Sequence, residues 1–336
     1  MNGHMMQARA LFPGLMASAT VAAAATFLSQ HYGAPVMLFA LLLGMAMNFL
    51  SQGGPCLPGI ELAAKHLLRL GVALLGLRIT LGQIAELGWF PVLLVMGSVI
   101  ATMAVGLLFA KLAGFKASFG VLTGGSVAIC GASAALAIST VLPSHPLRER
   151  ATLFTVIGVS ALSTLAMVVY PLLSQWLGLN NHDAGIFLGA TIHDVAQVVG
   201  AGYGVSTSTG DTATVVKLMR VAMLMPVIVV IAAVNRKHRS ADEPKAVLLP
   251  WFVTAFVALM LLGSMDWVPK VVQTGGNELS RWCLVIAISA IGIKTQLQEL
   301  TTVGFKPILL MLGETIFLAA LIASVLSLYS RQHSLF

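Results

Sequence analysis

The chain has 336 residues, 58% hydrophobic and 9% charged, with a mean hydropathy of +0.93. Soluble domains carry about 25% charged residues, so a water-facing globule is excluded and one integral membrane domain over 1–336 is expected. The net charge of +7 does not mark a nucleic-acid partner, because basic residues flank apolar runs, as Arg236, Lys237 and Arg239 do, in the manner of membrane anchors.

A crossing helix needs about 20 apolar residues. In chain order the apolar runs are 11–30, 34–52, 62–80, 89–113, 117–142, 150–176, 184–203, 212–235, 247–265, 279–294 and 304–329. They predict an all-α polytopic membrane protein with about eleven transmembrane helices. The first run follows Arg9 and contains Ala22–Ala25, which imitates a signal-peptide end; the many later runs favour a membrane helix. Turn signals separate the runs at Gly53-Gly54-Pro55, Pro143-Ser144-His145-Pro146, Asn180-Asn181-His182-Asp183 and Thr274-Gly275-Gly276-Asn277. The most basic loop, 236–246, is expected in the cytoplasm, which puts the N-terminus inside and the C-terminus outside.

An internal repeat is expected between 62–113 and 278–329. Gly76-Leu77-Arg78 aligns with Gly292-Ile293-Lys294, Gly88-Trp89-Phe90-Pro91 with Gly304-Phe305-Lys306-Pro307, and Gly97 with Gly313, all in one register. The third and tenth runs cross in opposite directions, so the repeat is of the inverted kind found in secondary transporters. The alternative is that amphipathic connectors between membrane helices look alike.

Three segments carry the unusual chemistry. The first, 123–135, places Gly124, Gly125, Ser126, Cys130, Gly131 and Ser133 inside an apolar run. Glycine weakens a helix by roughly 1 kcal/mol against alanine, and unwound backbone is tolerated in a bilayer only where it lines a cavity or is buried in protein. A break here exposes the N-terminus of a half-helix near Gly131–Ser133, whose free N–H groups suit an anion. Plain small-residue packing is the competing reading. The second segment, 189–204, holds Thr191, His193, Asp194 and Gln197 between glycines. Intramembrane ionisable groups mark pathways or relays, so these four are expected to carry a coupling ion, with the His-Asp pair trading a proton or holding a cation. Here the competing reading is an interfacial pair in a loop. In the third, Lys217 and Arg220 share one helical face at i, i+3. They are open to three readings: a cationic wall for the substrate, pairing with Asp194 or Asp211, or snorkelling to the interface.

The segments 124–135 and 189–202, together with Val216-Lys217-Leu218-Met219-Arg220 and the Gly76-Leu77-Arg78 region, resemble the YeiH family (UPF0324-type) over nearly the whole chain. That family comprises bacterial inner-membrane proteins labelled sulfate exporters, and it is similar in turn to cation–proton antiporters and bile-acid symporters. The resemblance implies a multi-pass inner-membrane protein with an inverted-repeat transporter fold and two broken helices crossing near the midplane.

Three scattered cysteines, Cys56, Cys130 and Cys283, support neither a disulfide framework nor a metal site. Walker A, HExxH, GxSxG and heme motifs are absent, so no cofactor is expected and any drive comes from an ion gradient or a partner subunit. The expected function is a secondary transporter of a small anion, sulfate or an organosulfonate, coupled to H+ or Na+, with a homodimer as the expected assembly. A channel-like or sensory protein using the same polar centre without alternating access is the alternative. An enzyme ranks third, for want of a nucleophile beyond Ser126, Cys130 or Ser133.

Overall fold

The computed structural model describes residues 2–32, 35–143, 146–235, 251–265, 267–295 and 305–333, and every regular element among them is helical. In chain order these are α1 (Asn2–Tyr32), α2 (Val36–Ala46), α3 (Leu57–Leu62), α4 (Leu68–Leu75), α5 (Leu81–Leu87), α6 (Phe90–Leu112), α7 (Ala117–Ala128), α8 (Ala132–Val141), α9 (Arg148–Trp176), α10 (Asn181–Thr191), α11 (Val195–Val205), α12 (Thr207–Ala222), α13 (Leu224–Val234), α14 (Trp251–Ser264), α15 (Lys270–Lys294) and α16 (Phe305–His333). A π-helical turn, Ala63–Leu67, joins α3 to α4. The basic loop 236–246 and the stretch of the repeat from 296 to 304 lie outside the described residues.

Among the described residues, five helical stretches are long and apolar enough to cross a bilayer: Ala10–Tyr32, Phe90–Leu112, Arg148–Trp176, Thr207–Val234 and Phe305–Tyr329. Shorter apolar helices accompany them, among them α2, α7, α8 and α14. The α6 helix shows why such a sequence needs lipid. Its exposed residues Leu93, Met96, Ile100 and Leu107 repeat at helical spacing and are all large and apolar, whereas Ser98, Thr102 and Gly106 turn inward. This polarity is the reverse of a soluble helix, and burial in hydrocarbon satisfies the outer face.

The chain forms two compact units, Met1–Leu87 with Val199–Ser206 and Pro250–Gln296, and Gly88–Val198 with Thr207–Leu249 and Leu297–Phe336. The boundary falls inside α11, after Val198. In the first unit, α3 and α4 run antiparallel to α15. Ile60 and Ala63 cluster with Ala290 and Ile293, the Ser280 hydroxyl donates to the Gly71 carbonyl at 2.7 Å, and Leu77 lies against Gly276. Asn48 closes the end of α15 by donating to the carbonyls of Ile293 and Thr295. Of the two cations that the expected repeat aligns, Arg78 stands 5.7 Å from the Tyr203 ring, and Lys294 pairs with Glu61 at 3.2 Å.

The second unit holds both helix breaks. α7 stops at Ala128 and α8 restarts at Ala132; α10 stops at Thr191 and α11 restarts at Val195. Around them stand α6, α9, α12, α13 and α16. The first break turns at Gly131, with φ +63° and ψ −125°, a conformation open to glycine and costly to residues with a Cβ.

Candidate functional site

The two breaks meet. A Cβ on Gly131 would lie 3.4 Å from the His193 Cβ, and the His193 Nδ1 is 3.2 Å from the Val127 carbonyl. Each break strands the last carbonyls of a helix, α7 on one side and α10 on the other, and stranded carbonyls cannot find water at bilayer depth. α12 supplies the partners. Because Lys217 and Arg220 are three residues apart they leave α12 on one face and reach both breaks together.

Arg220 uses its whole fork. Nε donates to Ala128 O at 2.9 Å, Nη1 to Gly189 O and Ile192 O at 3.2 and 3.1 Å, and Nη2 to Val127 O and Ala128 O at 2.8 and 2.7 Å. All the N–H donors a guanidinium possesses are thus spent on carbonyls. Lys217 Nζ donates to Ile129 O at 2.7 Å and Ile192 O at 2.9 Å. Both side chains are fully buried. The carbonyl end of a helix carries about half a negative charge, so two such ends facing two cations form a matched electrostatic clamp. The hydrogen bonds of both side chains go to backbone carbonyls, a partner that none of the three readings open from the sequence names.

The N-terminal ends at the breaks differ from each other. Gly131, the N-cap residue of α8, provides no side-chain cap, and Ser133 in the first turn is exposed. α11 is capped by Asp194, whose Oδ1 accepts from the Ala196 N–H at 2.8 Å, while the Asp194 N–H donates to the Ser163 hydroxyl at 3.0 Å. Gln197, one turn on, donates to the Thr164 hydroxyl at 2.9 Å, and its side-chain oxygen is buried without a partner.

His193 sits between the breaks and α16. Val127 O can only accept, so Nδ1 carries a hydrogen. On the other side Nε2 is 3.0 Å from the Thr315 hydroxyl, which is also 2.8 Å from Met311 O. Thr315 has one proton for these two acceptors. With neutral His193 it can donate to Nε2; with a doubly protonated ring it accepts from Nε2 and donates to Met311 O.

The residues singled out from the sequence therefore separate. Cys130, Gly131, His193, Asp194, Lys217 and Arg220 gather at or beside the breaks, with Ser133 opening α8. Thr191 lies in the last turn of α10, its hydroxyl donating to Phe187 O. Gly124 and Gly125 are inside α7, where Gly124 faces Gly106 and Thr102 O of α6 and Gly125 faces Ile138. Ser126 is satisfied by Leu122 O. These three are where α7 packs closely against its neighbours. The sequence reading passed over Glu314, a fully buried carboxylate that the Thr123 hydroxyl reaches at 2.8 Å, as well as Thr315, Ser163 and Thr164. A signal for Glu314 was present: it is the one carboxylate within the apolar stretch Phe305–Tyr329. Apart from the breaks, a cavity of about 380 Å³ lies where Phe119, Leu122, Leu142 and Phe154 meet Lys116 and Arg150.

Comparison with known proteins finds a match over residues 13–311 to the family model described as conserved hypothetical protein 698. The chain is 57% identical to a UPF0324 membrane protein of Chlorobaculum tepidum, over 93% of this chain and 88% of that one. It is 51% identical to the UPF0324 membrane protein TauZ of Paracoccus denitrificans, over 93% and 94%, and 48% identical to a UPF0324 membrane protein of Rhizobium meliloti, over 96% and 94%. No solved structure matches.

Proposed function

The chain belongs to the UPF0324 family of multi-pass membrane proteins, the YeiH type, and on that premise we propose that it is an ion-coupled secondary transporter of a small anion of the sulfate or organosulfonate kind, working in the bacterial inner membrane. One observation carries this reading. The two helix breaks touch, Lys217 and Arg220 neutralise the carbonyl ends, and what remains is an uncapped N-terminus on α8 beside a carboxylate-capped N-terminus on α11. The uncapped end offers backbone N–H groups to an anion. Asp194, His193 and the free oxygen of Gln197 are the acceptors left for a proton or sodium ion.

Charge balance gives the physical reason for coupling. Two cations and two helix N-terminal ends of about +0.5 each face two C-terminal ends of about −0.5 each and the Asp194 carboxylate, so the cluster carries about one positive charge before anything binds. A divalent anion such as sulfate overshoots that charge in a medium that penalises net charge, and a proton or sodium ion taken up with it restores the balance. An inverted repeat suits this scheme. The repeat-related pairs run antiparallel: α4 against α15 in the first unit, and α6 against α16 in the second, where Phe90 at the start of one stacks on Tyr329 near the end of the other at 3.9 Å. About eleven crossings and a homodimer belong to the same proposal.

The test is uphill accumulation of sulfate or an organosulfonate by proteoliposomes under an imposed proton or sodium gradient. Asp194→Asn keeps an acceptor for the Ala196 N–H, so the protein should fold as before and lose gradient-driven uptake. Downhill flux alone, with or without the gradient, would instead favour a channel, and wild-type uptake by the variant would remove Asp194 from the coupling role.

A further inference from the structure

A second polar cluster lies in the same unit, next to the breaks. Glu314 leaves α16 fully buried between α6 and α7. The wedge that admits it is built of glycine: a Cβ on Gly106 would stand 2.8 Å from Glu314 Oε1, Gly120 O and the Gly124 Cα alike. The carboxyl has one hydrogen-bond partner among the described residues, the Thr123 hydroxyl, and its Oε2 has none. One turn before Gly106 on α6, the Thr102 hydroxyl is buried and also unpartnered.

We propose that Glu314 is a proton-carrying site within the membrane-spanning part of the protein, separate from the His193–Asp194 pair. An ionised carboxylate with one neutral donor and a bare oxygen is poorly compensated in a low-dielectric interior, and such groups take up a proton instead. Thr123 is built to serve both states. Facing a carboxylate, it donates to Oε1. When a proton from water attaches to Oε1, the Thr123 hydroxyl can accept from Glu314 and donate to Phe119 O, 3.1 Å away. Neither state leaves a donor unpaired.

Among the described residues, no cation pairs with Glu314. The helices packed against α16 are α6, α7, α9 and α10. Their ionisable side chains are the exposed Lys111 on α6; Arg148, Glu149, Arg150 and Tyr170 on α9; His182 and Asp183 in the first turn of α10; and none on α7, which follows Lys116. On α16 itself, Lys306, Tyr329, Arg331 and His333 lie near the ends. Among the described residues, the hydrogen-bond partner of the Glu314 carboxyl is the Thr123 hydroxyl. The neighbouring residue, Thr315, is the one that touches His193, so the site abuts the crossing through a single step of α16.

The test is infrared difference spectroscopy of the full chain in lipid, titrated with pH without any transported anion, so that its outcome and that of the transport assay are independent. The wild type should show a carboxylic-acid C=O band that disappears on raising the pH, and Glu314→Gln should lose that band. Thr123→Val, which removes the one hydroxyl partner, should shift the band in frequency; this variant decides the question should the Gln variant fail to fold. The proposal is overturned by a band that persists in Glu314→Gln, by a band unmoved in Thr123→Val, or by its collapse on adding sodium ion at constant pH, which would make Glu314 a sodium ligand instead.

Discussion

Two buried polar clusters in one helical unit are handled in opposite ways. At the helix breaks, Arg220 and Lys217 make seven hydrogen bonds to carbonyls, and the guanidinium has no donor left over. Beneath α6 and α7, Glu314 has a single partner, and Thr102 has none. A guanidinium with every donor spent has none to offer a solute and so holds the breaks in place. An unsaturated cluster is costly to keep, and its persistence marks the place where something transient is received. The contrast separates Lys217 and Arg220, which shape the breaks, from Glu314, which is proposed to exchange a proton.

Breaking the saturated cluster should have the largest effect. Arg220→Met leaves Val127, Ala128 and Gly189 carbonyls without their charged donor, and removal of one side of a buried charged network costs about 3–5 kcal/mol. The expected outcome is a protein that reaches the membrane poorly and unfolds at markedly lower denaturant in detergent. Arg220→Lys should fall between, since an ammonium has three donors for five bonds. An Arg220→Met protein of wild-type stability would mean that the breaks do not depend on this clamp. Lys217→Met should cost less, about 1.5–3 kcal/mol, because Ile192 O keeps its bond to Arg220 and only Ile129 O is orphaned. Equal losses in the two variants would show that the clamp is one indivisible charge cluster rather than a set of carbonyl bonds.

The wedge around Glu314 comes next. Gly106→Ala places a methyl group 2.8 Å from the Glu314 oxygen and from two backbone atoms of α7. Overpacking of this kind costs about 1–3 kcal/mol. Thermal unfolding should report that loss, and the infrared band of Glu314 should shift with it, whereas Gly97→Ala on the same helix, where a Cβ meets nothing within 4 Å, should change neither.

The same contrast explains what could be read from the chain. Low charge and long apolar runs give away a membrane protein because bulk composition has only one solvent that fits it. The breaks were legible too, as dense glycine and serine at 124–133 and a His-Asp pair between glycines at 189–204 are expensive in a continuous membrane helix. The division of labour was not. Whether Gly124 and Gly125 line a cavity or pack against α6 depends on which face of α7 meets Gly106, a tertiary fact with no local signature. Lys217 and Arg220 were visibly paired on one face, but their partners are carbonyls, and carbonyls occur at every position and leave no mark in a sequence. Glu314 was readable by the rule that a lone carboxylate in an apolar span is costly; it stood apart from the glycine-rich motifs and its neighbours Thr102 and Thr123 are more than 190 positions away.

The smallest effect is also the one that most cleanly separates the clusters. Thr102 is fully buried and its hydroxyl meets no acceptor or donor. Removing an unpartnered buried hydroxyl relieves a desolvation cost instead of losing a bond, so Thr102→Val, nearly isosteric, should be neutral or stabilising by up to about 1 kcal/mol. Thr315→Val, also nearly isosteric but stripped of contacts to His193 and Met311, should go the other way by about 1 kcal/mol. Opposite signs in the unfolding midpoints of these two single-site valine variants are what a spare hydroxyl on α6 and a committed one beside His193 require. A loss of stability in Thr102→Val would mean that its hydroxyl is already spoken for, most simply by water reaching the Glu314 wedge, and the proton would then have a route as well as a seat.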